Sequence, residues 1–335
     1  MSFITNIRSV AKYESKILVR SWFFRIFTLL AVVFLGFFNF AMMLMEDNFG
    51  LWFAKSVSSN IPYLNLLLLN TGQAVVAVFL SSEFLKRDKK LDTSEVFYVR
   101  PLSNAEYVVG KIWGNLRVFL FLNLLVLAIV LAFNFMASGV TVDLPAYLIY
   151  FFLISIPTLI FIIGLSIFLM LLLKNQALTF ILLLGYIGLT LFYIQDKFYY
   201  LFDYMVYNLP LFKSTIVGFS SLELILNHRA IYFFAGLGFI FFTIFLFKRL
   251  PNARRSHYPW LFLSFCMFLL MGTAGFRHVR SILREGEMRA LYTSINNKYV
   301  YEPKMAIDYY DISVEQKSET IRSVVGMEGT ALAAS

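Results

Sequence analysis

Seven stretches of the sequence are apolar over 18 residues or more, and they limit what the chain can fold into. A helix needs about 20 apolar residues to cross the roughly 30 Å hydrocarbon layer of a bilayer, where backbone polar groups must pair with one another. Only 15% of the 335 residues are charged and 59% are hydrophobic, whereas a soluble domain carries about 25% charged residues. This composition excludes a soluble enzyme, a nucleic-acid-binding domain and a disordered scaffold. The predicted spans are 26–45, 61–82, 116–136, 146–173, 177–195, 230–247 and 259–276.

The predicted fold is an all-α polytopic membrane protein with six to seven transmembrane helices, an N-terminal interfacial helix and a short outward tail that could be β-structured. Residues 26–250 would form a six-helix domain, and 251–276 would hold the seventh span. Pro157 and Gly164 predict a kink or a two-part helix in the fourth span. His257, Pro259 and the basic run before them leave open six spans with a cytoplasmic tail.

Lysine and arginine residues divide unequally between the two sets of loops. Seventeen lie in the N-terminal segment and the loops after the second, fourth and sixth spans, against four in the opposite loops, namely Lys55, Lys197, Lys213 and Arg229. This split predicts a cytoplasmic N-terminus and, with seven spans, an outward tail. The tail carries eight more basic residues, although Lys and Arg are normally more frequent on the cytoplasmic side. Long translocated segments are largely exempt from this preference. The net charge of +9 reflects orientation and anionic lipid rather than nucleic acid.

Residues 1–25 predict an amphipathic helix that lies in the cytoplasmic interface before the first span. Phe3, Ile4, Ile7 and Val10 share one helical face with later apolar residues, and basic residues occupy the other. Glu14 is the one break in this periodicity. The alternative is an ordinary positively charged flank that needs no interfacial helix.

The loop 83–115 combines charge with helix signals. Asp92 with Glu95 resembles a helix start, and Pro101 disfavours helix at the residue before it, so a short helix is predicted at about 93–99. Ser103 with Glu106 forms a capping box, which predicts a new helix from about 104 into the third span. A short, partly apolar helix between two turns is a surface that a soluble partner could bind. The alternative is a solvated charged loop.

The segment 196–229 between the fifth and sixth spans is rich in aromatic residues. We expect such a segment to enter the outer leaflet as two short re-entrant helices around 208–210, because irregular backbone at membrane depth must be buried by protein. The alternative is an aromatic belt that lies in the interface. The residues that mark the predicted re-entrant segment are Tyr204, Asn208, Pro210 and Phe212.

The tail 277–335 is predicted to begin with a helix over 278–292 that ends at Asn296-Asn297. Tyr310, Ile312 and Val314 alternate with polar residues, so a strand is expected there, with a turn at 317–319 and a second strand at 320–325. Two strands alone are marginal in water, and the tail therefore looks like the start of a larger, incomplete outward domain. Residues from 326 onward are expected to be mobile.

Several signatures of catalysis are absent from the sequence. Gly110-Lys111 is followed by isoleucine, so there is no P-loop, and no zinc-protease or serine-hydrolase motif occurs. The three histidines and Cys266 favour structural roles over metal binding or catalysis. The spans hold almost no ionisable residues away from their ends, which argues against ion-coupled transport. Their polar residues favour interhelical hydrogen bonds over substrate binding. These residues are Asn39, Asn65, Asn70, Gln73, Asn123, Ser155, Thr158 and Ser166.

Over residues 1–250 the chain resembles the membrane subunit of type 2 ABC (ATP-binding cassette) exporters. The resemblance rests on the N-terminal helix, the aromatic outward segment and the pattern of the 83–115 loop. The loop residues that match are Glu83, Arg87, Thr93, Glu95, Pro101, Ser103, Glu106, Gly110 and Lys111.

The resemblance implies that the 93–99 helix is a coupling helix, which docks on a separate ATPase subunit and includes Val96 and Phe97, with Arg100 after it. It also implies a second permease subunit, identical or different, in a bacterial inner membrane, and no enzymatic activity or cofactor in this chain. The seventh span departs from the family's six and is similar to permeases that continue into an outward domain. No zinc motif is present, so the aminopeptidase of some relatives is not implied. The alternatives are a membrane anchor or scaffold for an outward complex, and a channel.

Overall fold

The computed structural model describes residues 3–44, 57–90, 102–136, 142–214, 218–247, 258–300, 305–317 and 320–331, with backbone alone for 44, 81–90, 305, 306 and 331. It is an all-α polytopic protein with a two-stranded tail, as predicted. Seven helical stretches are long and apolar enough to cross a membrane. The first helix, α1 (Phe3–Arg20), precedes them, and Ser21 separates it from α2 (Trp22–Leu44). The next helices are α3 (Asn60–Lys90) and α4 (Asn104–Met136).

The fourth span is interrupted, as Pro157 predicted. It consists of α5 (Leu144–Tyr150), a π-helical turn (Phe151–Ser155) and α6 (Ile156–Leu173), with Pro157 in the first turn of α6. Gly164 does not mark a kink. Its missing Cβ lets α6 approach the sixth span, because a Cβ there would lie 2.6 Å from the carbonyl oxygen of Gly236.

The fifth and sixth spans enclose a shorter irregular segment than the sequence predicted. The fifth is α7 (Gln176–Leu189) with a π-helical end at Thr190–Ile194, and the sixth is α8 (Leu222–Leu246). Residues 222–229 therefore belong to a helix, and the aromatic segment is 195–221. It contains a single turn (Phe198–Tyr200) and the short strands β1 (Lys213–Ser214) and β2 (Gly218–Phe219). The prediction of two short re-entrant helices is wrong for the described residues.

The seventh span and the tail are more regular than predicted. Helix α9 runs from Tyr258 to Tyr299 over 42 residues, which is about 63 Å, and Asn296-Asn297 does not end it. Strands β3 (Met305–Lys317) and β4 (Thr320–Ala331) form an antiparallel hairpin. The two predicted strands are confirmed, whereas residues 318 and 319 of the predicted turn lie outside the described residues. Gly326 pairs with Asp311 and β4 continues to Ala331, so residues 326–331 belong to a strand instead of the expected mobile end.

The apolar core lies between α3, α4, α6 and α8. Its fully buried side chains include Leu66, Phe119, Ile162 and Ile225. In contrast, α2, α7 and α9 leave half or more of their apolar side chains exposed, as expected of helices that face lipid or another chain.

Candidate coupling region and aromatic segment

The predicted coupling loop joins two helices that extend beyond their apolar spans. The apolar part of α3 ends at Leu80 and the helix continues to Lys90, which adds about 15 Å. Glu83 and Arg87 lie on this helical extension, and their side chains are not described. The other predicted coupling residues that lie outside the described residues are Thr93, Glu95, Val96, Phe97, Arg100 and Pro101. The coupling helix at 93–99 therefore stays a prediction.

The capping box at the start of α4 is confirmed. The backbone N–H of Ser103 donates to Oε2 of Glu106 at 2.6 Å, and the backbone N–H of Glu106 donates to the Ser103 hydroxyl at 3.2 Å. These bonds satisfy donors that the first turn of a helix leaves without intrahelical partners. Nδ2 of Asn6 in α1 donates to Oε1 of Glu106 at 2.9 Å. The start of α4 is thus fixed both locally and by α1.

Helix α1 packs closely on the first turns of α4 through two glycines. A Cβ on Gly110 would lie 2.7 Å from Cβ of Val10, and a Cβ on Gly114 would lie 2.8 Å from the carbonyl oxygen of Ala11. Both distances are shorter than any ordinary contact, so larger residues would force the helices apart. The hydroxyl of Ser15 also donates to the carbonyl of Gly114 at 2.6 Å.

A buried ion pair lies at the centre of this contact. Nζ of Lys111 is 2.9 Å from Oε1 of Glu14, and the two side chains are 1% and 3% exposed. The sequence analysis interpreted Glu14 as a break in the amphipathic pattern, but Glu14 lies on the buried face of α1. Next to the pair, Arg117 donates to the Ser15 hydroxyl at 2.5 Å and to the carbonyl of Ala11 at 2.8 Å.

Buried amides connect the spans, as predicted for interhelical hydrogen bonds. Asn39 and Asn65 donate to each other at 2.7 and 3.1 Å. A second network joins α3, α4 and the π-helical turn. In it Asn70 donates to Asn123 at 2.9 Å and Asn123 donates to Gln73 at 2.7 Å. The other network bonds run from Ser155 to Asn123, from Asn70 to Ser155 and from Gln73 to the carbonyl of Phe119.

The aromatic segment is anchored because side chains of the helices, and of Ser59 just before α3, donate to its backbone carbonyls. Helical residues could not supply these bonds through their own backbones, and unpaired carbonyls at membrane depth are costly. His228 donates to the Tyr200 carbonyl at 3.0 Å and His278 to the Tyr199 carbonyl at 2.9 Å. Further donors are Tyr232 to Leu201, Arg229 and Thr158 to Tyr204, Tyr63 to Val206, Tyr150 to Leu211 and Ser59 to Lys213.

Arg229 also compensates for the interruption of the fourth span. Pro157 has no N–H, so it cannot donate to the carbonyl of Leu153 four residues earlier. Nε of Arg229 donates to that carbonyl at 2.6 Å, and its terminal nitrogens bond to the Ile154 carbonyl and to the Thr158 hydroxyl. The sequence placed Arg229 in an outward loop and missed this role. The sequence carried no clear signal for this role, because a charged residue at the end of an apolar stretch is typical of an interfacial flank.

The predicted re-entrant residues fall into two groups. Tyr204 is fully buried, and its ring stacks on Tyr186 with centroids 5.6 Å apart. The N–H of Asn208 donates to Asp203 at 2.9 Å. Pro210 and Phe212 are exposed, although the Phe212 ring lies 5.4 Å from that of Tyr63. The segment is therefore buried among helices at Tyr204, whereas buried and exposed residues alternate from Asn208 to Phe212.

Asp203, which the sequence analysis missed, organises the turn before Asn208. Burial raises the pKa of its carboxyl, while the backbone donor of Asn208 and the charge of Arg229 oppose that rise. No group of three or more metal-ligating side chains occurs among the described residues.

No protein-family model matches the chain, and comparison with curated proteins finds no significant match.

Proposed function

We propose that this chain is the membrane-spanning permease subunit of an ATP-driven exporter. ATP is hydrolysed on a separate ATPase subunit, and two permease subunits, identical or different, enclose the path. The N-terminus lies in the cytoplasm of a bacterial cell and the tail lies outside the inner membrane. The proposal assigns no catalytic group or cofactor to this chain, and the apolar, aromatic composition of the spans favours a lipid-like or amphiphilic cargo.

The observation that carries the proposal is the rigid junction of α1 and α4. A motor that moves residues 91–101 would pass that movement to the spans through the end of α3 and the start of α4. The Ser103–Glu106 cap, the two glycine contacts and the Glu14–Lys111 pair join this start to α1. The two helices would therefore move as one body, and a short coupling helix beside them could drive a whole span.

The aromatic segment supports a gated path. Tyr204, Met205 and Val206 are fully buried between the spans. The segment therefore fills the bundle on the side where the fifth span ends and α8 begins. Cargo that leaves on this side requires the segment to move. Its anchors are individual side-chain hydrogen bonds rather than a continuous backbone ladder, which is compatible with movement of the segment as a unit.

Val96→Asp is expected to reduce the amount of ATPase that co-purifies with the chain by about tenfold or more, because a charge buried in an apolar docking surface is costly. The measurement is the ATPase-to-permease ratio after co-expression and affinity purification. Thr93→Pro should have the same effect through loss of the helix. Val314→Asp is the matched control, since Val314 is exposed on the hairpin. Unchanged co-purification of the Val96→Asp variant would remove the coupling-helix assignment.

Thiol labelling tests the proposed orientation. In a Cys266→Ser background, cysteine at position 94 should react with a membrane-impermeant maleimide only in inverted vesicles. Cysteine at Ser323 of the hairpin should react only in spheroplasts. Reaction of both positions only in inverted vesicles would indicate six spans. Reaction of position 94 from outside would contradict the permease proposal.

The long α9 and its hairpin also suit a membrane anchor for an outward complex. An anchor requires neither a partner ATPase nor nucleotide-dependent movement. If a purified complex contains an ATPase whose hydrolysis depends on this subunit, the anchor is excluded. If outward proteins co-purify and no ATPase does, the anchor is favoured.

A further inference from the structure

Two buried histidines from different spans meet at one turn of the aromatic segment. His228 lies in α8 and His278 in α9, their ring centroids are 5.0 Å apart, and neither side chain is exposed. Nε2 of each ring contacts a backbone carbonyl, of Tyr200 and Tyr199 respectively. A carbonyl can only accept, so Nε2 carries the hydrogen in both rings. The pair therefore acts as two donors to adjacent carbonyls.

The turn that they hold is strained. Phe198, Tyr199 and Tyr200 have φ of 52°, 59° and 63°, which is the left-handed region that bulky residues rarely adopt. Such conformations persist only where the surroundings impose them. The neighbouring carbonyl of Leu201 accepts from the Tyr232 hydroxyl at 2.5 Å. The turn has backbone hydrogen bonds of its own, from the N–H of Tyr200 to Lys197 and from that of Leu201 to Phe198. Side chains from α8 and α9 bond to its carbonyls from outside.

Helix α9 contributes to this arrangement at one point. Its buried residues are Ser264, Ala274 and His278. Ser264 donates to the Gly238 carbonyl in α8 at 2.9 Å, which joins the two helices away from the segment. His278 is the α9 residue that bonds to the segment in the described part of the chain.

We propose that His228 and His278 form a clamp that holds the aromatic segment in its strained, buried conformation, and that α9 controls this segment through His278. His278 is a positioning residue in this scheme. Beyond it α9 continues as an exposed helix to Tyr299, about 31 Å farther along the helix axis. A rigid helix of this length transmits a tilt at its outer end to His278. The seventh span is therefore a control element for the segment, whether or not an ATPase drives the bundle.

Hydrogen exchange on the purified full chain tests the clamp. His278→Ala should speed amide exchange in peptides covering 198–206 by about tenfold, because a buried donor to a strained turn is lost. His278→Gln should restore most of the protection, since its amide N–H can donate to the same carbonyl. Ser264→Ala is the matched control, which removes a buried α8–α9 hydrogen bond without a contact to the segment. It should leave exchange at 198–206 unchanged.

Peptides from α4 report whether the fold is intact. Unchanged exchange at 198–206 in His278→Ala overturns the proposal, and so does equal acceleration in Ser264→Ala or in α4. Failure of His278→Gln to restore protection would likewise show that hydrogen-bond donation is not what holds the turn. The experiment needs no ATPase, so its outcome is separate from that of the co-purification test.

Discussion

Replacement of Arg229 by leucine is expected to lower the free energy of unfolding by at least about 3 kcal/mol. The guanidinium bonds to the carbonyls of Leu153, Ile154 and Tyr204 and to the Thr158 hydroxyl. Leucine would leave these buried acceptors without their charged donor, and each such loss costs about 1–3 kcal/mol. Denaturant titration in mixed micelles measures the change. Arg229→Lys should recover only part of the loss, since an ammonium group cannot reproduce the planar fork.

Arg277→Leu is the control for Arg229. Arg277 pairs with Glu223 at 3.4 Å, and both side chains are 65% exposed, so its loss should change stability by no more than about 0.5 kcal/mol. Equal stability of the two leucine variants would contradict the role assigned to Arg229.

A second substitution isolates the reason for the Arg229 effect. Pro157→Ala restores an N–H that can donate to the carbonyl of Leu153. In the Pro157→Ala background, Arg229→Leu should lower the free energy of unfolding by about 1 kcal/mol less, because the Leu153 carbonyl then has a backbone donor. Additive effects of the two substitutions would indicate that Arg229 and Pro157 are not coupled through this carbonyl.

The sequence predicted the features that depend on local pattern. The apolar runs identified the seven helices that are long and apolar enough to cross a membrane, although six spans had been left open. The Ser103–Glu106 spacing identified the start of α4, and Pro157 indicated the irregularity of the fourth span, which is a π-helical turn. The strand alternation of the tail predicted the hairpin. In each case the signal lies within a few residues of the structural feature.

The sequence could not predict features that depend on distant partners. Arg229 and His228 were assigned to a loop because they are polar and immediately precede the apolar stretch 230–247 that was predicted as the sixth span. Glu14 looked like an irregularity because its partner Lys111 lies almost 100 residues away. The aromatic segment was expected to form helices, since nothing in its sequence shows that side chains of other helices bond to its carbonyls. The role of a buried polar residue depends on a partner that tertiary packing brings next to it, and the local sequence does not identify that partner.

A double-substitution cycle at Glu14 and Lys111 is expected to show strong coupling. Either Glu14→Leu or Lys111→Met alone should destabilise the packing of α1 on α4 by about 3–5 kcal/mol, because each removes the opposite charge next to a buried charge. The double variant should be within about 1 kcal/mol of the unsubstituted protein, since apolar replacements of a buried pair are often neutral. Amide exchange in α1 and denaturant titration measure the two effects.

The matched control is the exposed pair Glu315–Lys317 of the hairpin, at 3.1 Å with side chains 57% and 76% exposed. The same cycle there should be additive within about 0.5 kcal/mol. If the Glu14→Leu/Lys111→Met variant is as unstable as the single variants, the pair is not an isolated unit and other contacts of these side chains determine the packing. If the double variant is stable but ATP hydrolysis by an associated ATPase no longer depends on this subunit, the two charges are needed for coupling as well as for stability. That result would locate transmission in the α1–α4 junction itself.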